Sequence, residues 1–257
     1  MRLKPSAVLG FLIAPMLVFG VPAAAQAETV SIAVAANFTD AAKAIGAAFK
    51  ARTGNDVSIS SGATGGLFTQ ISQGAPFEVF LSADSKTPQK AVAANLAVAG
   101  TEFTYAVGKL VLFSSDPGLV TGPETLHSGK FGKLAIANPN TAPYGAAAVA
   151  AMKELGVYDA LQPKIVTGES IAQAYQFVDS RNAELGFVAL SQVINRQDGS
   201  RWLLPQADYT PITQDAVLLQ PGKNSRAARD FLDFLKGDEA AKIIRSFGYD
   251  EPDAKAG

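Results

Sequence analysis

Cysteine is absent from this chain of 257 residues, and histidine occurs only once. Without thiols the protein can form no disulfide framework, no cysteine-based metal site and no thiol-linked lipid anchor. The single histidine, His127, lies in the polar segment Thr125 to Lys130. We expect it to be a solvated surface residue, because paired metal-binding histidines are excluded by the count alone.

Other signals of catalysis are also missing. The sequence contains no G-x-S-x-G nucleophile elbow, and the glycine-rich segment Gly62 to Gly66 has no Gly-Lys-Ser/Thr ending that would make it a nucleotide loop. Glu78 and Asp84 lie six residues apart, and we expect a helix cap and a solvated rim residue rather than an acid–base pair. The sequence therefore predicts a protein that is not an enzyme, with a secreted enzyme as the alternative from another class.

The chain has no excess of charge of either sign. It carries 22 basic and 23 acidic residues, for a net charge of −1. No basic surplus is present for nucleic acid and no basic cluster for a membrane surface. An anion would have to be bound by local N–H and O–H donors rather than by the electrostatic field of the whole protein.

Long apolar runs are confined to the N-terminus. Arg2 and Lys4 form a positive region, Ala7 to Val21 is apolar, and Ala23 to Ala27 supplies an A-x-A cleavage site. This pattern predicts a Sec-type signal peptide over residues 1–27. The apolar stretch is too short and too broken by proline to favour a membrane anchor. We expect a soluble periplasmic protein of a Gram-negative bacterium, and not a lipoprotein because no cysteine is available for acylation.

After this leader, short apolar runs alternate with helical patterns, which is typical of α/β proteins. We expect two lobes, each a central sheet flanked by helices, with a ligand in the cleft between them. The first lobe would span residues 28–108 and be completed by about 212–257, and the second would span 109–211. No low-complexity linker occurs, so the lobes should be joined by two crossing strands.

Four strand-to-helix turns contain small or hydrogen-bonding residues, around Asn37, Thr64, Tyr144 and Ser170. In a parallel sheet, helices that follow such turns begin at the carboxyl edge of the strands. Helix N-termini carry unpaired N–H groups and a partial positive charge, which suits a small anion. Each residue alone could be an ordinary helix cap. Four such turns around one cleft favour a binding site.

The same turns resemble those of a known family. Nearly the whole mature chain is similar to the periplasmic molybdate-binding proteins of ABC transporters, which are type II periplasmic binding proteins. The segments that carry the resemblance are Ala36–Ala41, Ser61–Leu67, Gly74–Asp84, Asn138–Gly145 and Leu185–Val188. The run from Gly74 to Asp84, with its Gly-Ala-Pro start and Ser-Ala-Asp end, is the most specific of them.

The resemblance implies a monomeric receptor that binds molybdate, and also tungstate, and delivers it to a membrane permease. It implies no cofactor, with molybdenum bound only as the oxyanion. By matching positions, the ligand would be held by Asn37 with its neighbour Ala36, by Thr64 where the family usually has serine, and by the backbone N–H groups of Tyr144 and Ile171. Contacts from both lobes would form only on hinge closure.

Two positions depart from the family pattern. The first turn reads Ala-Asn-Phe where many members have Ala-Ser-Leu. Ala189 stands where many members have a tyrosine that donates its hydroxyl. We expect the side-chain amide of Asn37 to compensate in part for the missing phenol.

Other ligands remain open at this point. Sulfate requires the same donors as molybdate, so only cavity size can separate the two. Phosphate carries a proton at neutral pH and would need an acceptor. An iron site would need clustered tyrosines or carboxylates, and the six tyrosines are scattered along the sequence.

Overall fold

The computed structural model of the protein describes residues 27–252. The predicted signal peptide lies outside this range except for its last residue, Ala27. Ten strands occur within it: β1 (Thr29–Ala35), β2 (Asp56–Gly62), β3 (Val79–Leu81), β4 (Phe103–Gly108), β5 (Leu110–Ser114), β6 (Leu134–Ala137), β7 (Ile165–Gly168), β8 (Leu185–Ala189), β9 (Ser200–Leu203) and β10 (Ile212–Leu218).

The same range contains ten α-helices: α1 (Thr39–Thr53), α2 (Thr64–Ser72), α3 (Lys86–Ala93), α4 (Pro123–Ser128), α5 (Pro143–Glu154), α6 (Tyr158–Leu161), α7 (Ile171–Asp179), α8 (Leu190–Val193), α9 (Arg226–Leu235) and α10 (Asp238–Ser246). Short 3-10 helices lie at Ala36–Phe38, Gln162–Lys164, Gln206–Asp208 and Gln220–Gly222. None of the helices between residues 27 and 252 is long and apolar enough to cross a membrane. His127 lies in α4 and is exposed, as predicted.

The strands form two five-stranded mixed sheets, one in each lobe. The first has the order β2-β1-β3-β10-β4 and the second the order β7-β6-β8-β5-β9. In the first, β1 pairs in parallel with β2 and β3, while β10 is antiparallel to β3 and β4. In the second, β6 pairs in parallel with β7 and β8. The two-lobed α/β fold predicted from the sequence is confirmed.

Alternate residues of the central strands fill separate cores on the two faces of the first sheet. Ile32 packs with Phe49 and Phe231 on the face covered by α1 and α9, whereas Ala33 packs with Phe80 on the face covered by α2 and α3. The rings of Phe49 and Phe231 meet edge to face at 5.4 Å. Each buried aromatic side chain contributes about 1.5–3 kcal/mol to folding. These two cores fix α1 and α2 on opposite faces of one sheet.

The chain crosses between the sheets twice. It passes from β4 to β5 through Lys109 and returns from β9 to β10 through residues 204–211. The sequence predicted two crossing strands, and the second is instead an irregular segment with a 3-10 turn at Gln206–Asp208. Pro205 and Pro211 explain the difference, because proline has no N–H to donate to a sheet ladder.

Candidate oxyanion-binding site

Four helices begin at the cleft between the two sheets. In the first sheet, β1 leads into the 3-10 helix at Ala36 and β2 leads into α2 at Thr64. In the second sheet, β6 leads to α5 and β7 leads to α7. Each pair of parallel strands ends at the same edge of its sheet, so both lobes present two helix N-termini to the cleft.

A small cavity lies where these N-termini meet, and its volume is about 10 Å³. All five residues proposed from the sequence line it: Ala36, Asn37, Thr64, Tyr144 and Ile171. The remaining lining residues are Ala35, Gly62, Ala63, Ala83, Ala142 and Pro143. No lining residue carries a charged side chain. The cavity can therefore neutralise an anion only with hydrogen-bond donors and helix dipoles.

Thr64 offers a side-chain donor to this cavity. Its side chain is buried, and its Oγ1 accepts a hydrogen bond of 3.1 Å from the backbone N–H of Ala83. That bond fixes the rotamer and occupies a lone pair, not the hydroxyl proton. Within residues 27–252 no protein acceptor for that proton is present, so Thr64 can donate it to a ligand.

The second lobe offers backbone donors at the starts of α5 and α7. Pro143 is the first residue of α5, where its missing N–H removes no helical hydrogen bond. The N–H of the next residue, Tyr144, has no partner within the helix. Ser170 caps α7, and its side chain accepts from the N–H of Gln173. The cap leaves the N–H of Ile171, the first residue of α7, without an intrahelical partner.

Gly145 lets α5 approach its strand closely. A Cβ at this position would overlap the carbonyl oxygen of Ala137, the last residue of β6. Only glycine fits, because the helix backbone rests directly on the end of the strand. This contact sets the position of the adjacent Tyr144 N–H relative to the cavity.

The predicted role of the Asn37 amide as a ligand donor is wrong. Its Nδ2 donates to Gln214 Oε1 at 2.9 Å and to the hydroxyl of Tyr249 at 3.1 Å. Both amide hydrogens are therefore used inside the protein. Asn37 is the second residue of the 3-10 helix Ala36–Phe38, so its backbone N–H has no partner within that helix and is the donor it can offer to the cavity.

Behind Asn37 lies a buried network of phenols and amides. Tyr105 donates to Gln214 Oε1 at 3.1 Å, and the Gln214 amide is 3.5 Å from the hydroxyl of Tyr144. Burial raises the pKa of Tyr105, Tyr144 and Tyr249 well above the ordinary value. The network consequently stays uncharged at neutral pH and adds no repulsion to a bound anion.

Three of the six tyrosines, Tyr105, Tyr144 and Tyr249, thus converge in the fold, but their surroundings do not favour an iron site. Their hydroxyls bind amides and backbone carbonyls, and burial opposes their ionisation. In the part of the chain that the structure describes, no group of three or more histidine, aspartate or glutamate side chains could hold a metal ion. Carboxylate-based metal binding therefore finds no support among these residues.

The two carboxylates considered for catalysis are engaged in structural bonds. Asp84 lies one residue before Ser85, the N-cap position of α3, and its carboxylate accepts from the backbone N–H of Thr87 in the first turn at 2.7 Å, which is the bond that a helix cap makes. The sequence predicted a helix cap and a solvated rim residue for the pair, and Glu78 does not fit the rim role. It is half-buried and accepts from the N–H of Ser31 at 2.9 Å, because β1 would otherwise leave this donor unpaired.

Sequence reasoning missed Gln214, Ser191 and Tyr249, which surround Asn37 without lining the cavity. Ser191 Oγ donates to the Asn37 carbonyl oxygen at 2.8 Å, and the Tyr249 hydroxyl donates to the same oxygen at 2.7 Å. These partners lie 154 and 212 residues from Asn37. No local pattern connects them, so only the tertiary fold reveals them.

Ala189 does not line the cavity. It is fully buried at the end of β8, and its backbone N–H donates to Gln192 Oε1 at 2.9 Å. No phenol reaches the cavity from this strand, as the sequence indicated.

Comparison with known proteins identifies the family. A family model described as bacterial extracellular solute-binding protein matches residues 30–250. The molybdate-binding protein ModA of Rhodobacter capsulatus is 54% identical over 91% of this chain and 92% of its own length. ModA of Azotobacter vinelandii is 53% identical over 88% of this chain and 91% of its own length.

A solved structure agrees with the sequence relatives. The periplasmic molybdate-binding protein of Azotobacter vinelandii matches this structure with a TM-score of 0.84 at 39% identity, over 87% of this chain and 99% of the other. The chain therefore belongs to the bacterial extracellular solute-binding protein family, as a relative of the ModA proteins.

Proposed function

We propose that the chain is a periplasmic receptor that binds molybdate, and also tungstate, and delivers the oxyanion to the permease of an ABC transporter. The observation that carries the proposal is a small, uncharged cavity at which four helix N-termini from two lobes meet. Relatives of more than 50% identity that bear the name molybdate-binding protein support the choice of ligand.

The chemistry of the cavity suits a fully deprotonated tetrahedral dianion. A buried dianion without a counter-ion is costly unless several hydrogen bonds and helix dipoles receive it. The Thr64 hydroxyl and the backbone N–H groups of Asn37, Tyr144 and Ile171 supply such donors. The other lining residues, Ala36 and Ala83 among them, add no negative charge.

Selectivity against phosphate and sulfate follows from two different properties. Phosphate at neutral pH carries a proton, and a site built from donors has few acceptors for it. Sulfate carries no proton but is smaller than molybdate, so a rigid closed cavity would leave its oxygens out of reach of some donors. Tungstate is nearly the same size as molybdate, so the same cavity accepts both.

Binding would couple to lobe closure and to transport. Asn37 and Thr64 belong to one lobe and Tyr144 and Ile171 to the other, so the full donor set exists only when the cleft is closed. A ligand that binds only the closed form shifts the population toward it. The closed monomer would then dock on the permease. It needs no cofactor and catalyses no reaction.

Calorimetric titration of residues 28–257 with molybdate, tungstate, sulfate and phosphate tests the proposal. We expect one site per chain, similar heats for molybdate and tungstate, at least tenfold weaker binding of sulfate and no binding of phosphate. Equal affinity for sulfate would make the chain a general oxyanion receptor. Absence of heat with both molybdate and tungstate would reject the proposal.

A further inference from the structure

The segment after the last helix reaches from one lobe to the other. Gly248 and Tyr249 follow α10, which packs on the first lobe. Gly248 has a φ of +82°, and a Cβ there would come within 2.7 Å of Ile194 Cδ1 and 2.9 Å of Leu190 Cδ2. Both of these residues belong to the second lobe, at α8. Glycine therefore permits a close contact between the C-terminal segment and the opposite lobe.

The Tyr249 side chain enters the space behind Asn37. Its ring packs edge-on against Phe38 with centroids 5.2 Å apart, and its hydroxyl donates to the Asn37 carbonyl oxygen at 2.7 Å. The same hydroxyl accepts from the Asn37 amide at 3.1 Å. Tyr249 thus holds both the main chain and the side chain of the turn that lines the cavity.

Ser191 brings the second lobe into this arrangement. Its Oγ lies 2.8 Å from the Asn37 carbonyl oxygen and 3.0 Å from the Tyr249 hydroxyl. Asn37 and Tyr249 belong to the first lobe, whereas Ser191 lies in α8 of the second. These bonds can form only when the lobes are closed, and they form next to the proposed ligand.

The base of the segment is tied to the crossing between the sheets. Asp250 and Val107 exchange two backbone hydrogen bonds of 2.9 and 3.0 Å, and Lys109 Nζ lies 2.7 Å from Asp250 Oδ1. Val107 is in β4, just before the chain crosses to the second lobe. Tyr249 is therefore anchored at the hinge and projects toward the site.

We propose that Tyr249 is a positioning residue for oxyanion binding, which orients the Asn37 turn and, through Ser191, latches the two lobes shut. Tyr249 does not line the cavity, so it acts through Asn37 and not on the ligand. This inference rests on the proposed function for its ligand. It assigns to the C-terminal segment a role in the residence time of the bound ion.

The latch is tested by comparing Tyr249→Phe, Ser191→Ala and the double variant with wild type. Molybdate dissociation, measured by stopped-flow fluorescence of Trp202, should be about tenfold faster in each single variant, with little change in the association rate. The two hydroxyls contact each other and share one acceptor oxygen. The fold increase in dissociation rate of the double variant should therefore be smaller than the product of the increases in the two single variants. Tyr175→Phe is the matched control, since that hydroxyl is bonded to Arg196 within the second lobe.

A second readout does not require molybdate. The chain contains no cysteine, so Gln70→Cys and Ala150→Cys introduce one spin label on α2 and one on α5. Both positions are exposed. In the ligand-free protein, Tyr249→Phe should shift the distance distribution toward longer, open separations, whereas Tyr175→Phe should not.

The possible outcomes distinguish a failure of the latch from a failure of the proposed function and from a simple loss of folding stability. If wild type does not bind molybdate, the proposed function fails, and the spin-label distances still decide the latch. If wild type binds but Tyr249→Phe and Ser191→Ala change neither dissociation nor the distances, the latch is wrong. Faster dissociation that only parallels a loss of ligand-free stability in urea would also overturn it.

Discussion

The backbone N–H of Gly65 donates a hydrogen bond of 2.8 Å to the carbonyl oxygen of Thr141. Gly65 is the second residue of α2 in the first lobe, and Thr141 lies in the turn before α5 in the second. The bond therefore joins the two helix N-termini that present Thr64 and Tyr144 to the cavity. Contact is close enough that a Cβ on Gly65 would lie 3.1 Å from Thr141 Cα.

Gly65→Val should weaken molybdate binding at least tenfold. The branched side chain would meet the Thr141 backbone and hold the lobes apart, so the donors of the two lobes could not reach one ligand together. Affinity is measured by calorimetric titration, and closure by small-angle scattering with and without ligand. The variant should remain in the open form at ligand concentrations that close the wild type.

Gly66→Val is the matched control for this substitution. It lies in the same helix, but a Cβ there meets nothing within 4 Å. Both variants change helix propensity by a similar amount, at most about 1 kcal/mol. Equal affinities for the two variants would show that the Gly65–Thr141 contact does not matter for binding.

Removing the Thr64 hydroxyl should cost about 1.5–3 kcal/mol of binding free energy, because the lost donor would have bonded a buried charge. Thr64→Val keeps the shape and removes this donor, whereas Thr64→Ser keeps the hydroxyl. We expect Thr64→Ser to bind within a few-fold of wild type. Calorimetric titration of the two variants gives the comparison.

Thr64→Val also removes the acceptor for the Ala83 N–H, so its folding stability must be measured separately. Urea unfolding without ligand reports that loss. Unchanged molybdate affinity in Thr64→Val would show that this hydroxyl is not a ligand donor.

Gly145→Ala should impair both folding and binding. The added methyl group would overlap the Ala137 carbonyl oxygen, so α5 must shift away from β6 and carry the Tyr144 N–H with it. Overpacking of this kind costs about 1–3 kcal/mol. Thermal unfolding and molybdate titration measure the two effects. Gly66→Ala is a suitable comparison, since Gly66 does not line the cavity and its new Cβ would meet nothing within 4 Å.

Stability should fall at alkaline pH because of the buried phenols. Burial raises the pKa of Tyr105, Tyr144 and Tyr249, so the folded protein keeps protons that the unfolded chain releases near pH 10, the ordinary tyrosine value. The stability that the three protonated phenols contribute is fully present below about pH 10 and is lost as the pH rises toward their pKa values in the folded protein. Each phenol lowers the free energy of unfolding by up to about 1.4 kcal/mol per pH unit.

Urea unfolding between about pH 8 and pH 11 measures this dependence. Tyr105→Phe should make the decline shallower, because one differential ionisation is removed. An identical slope in Tyr105→Phe and wild type would contradict the assignment. The variant also loses a hydrogen bond to Gln214, so slopes rather than absolute stabilities are compared.

The sequence was sufficient for the fold and for five of the eleven positions that line the cavity. Strands such as β1 and β5 are short apolar runs, and the turns at Thr64 and Tyr144 contain the residues that helix starts require. These features are local, since each depends on neighbours within a few residues. The resemblance then connected turns that are distant in sequence.

The direction of the Asn37 amide could not be predicted in the same way. An asparagine in a turn can donate to a ligand or to the protein, and the choice depends on what lies behind it. Here Gln214 and Tyr249 provide the acceptors, from β10 and from the end of the chain. For the second crossing the sequence predicted a strand. The irregular segment that contains Pro205 became clear only from where β9 ends and β10 begins.

The central claim is that one oxyanion occupies the cavity lined by Asn37, Thr64, Tyr144 and Ile171. A crystal structure of residues 28–257 with molybdate, with anomalous scattering measured at the molybdenum absorption edge, tests it most directly. We predict a single anomalous peak in that cavity, within hydrogen-bonding distance of the Thr64 hydroxyl and the Tyr144 and Ile171 N–H groups. A peak at the cleft mouth near Lys86 and Lys90, with the cavity empty, would contradict the account.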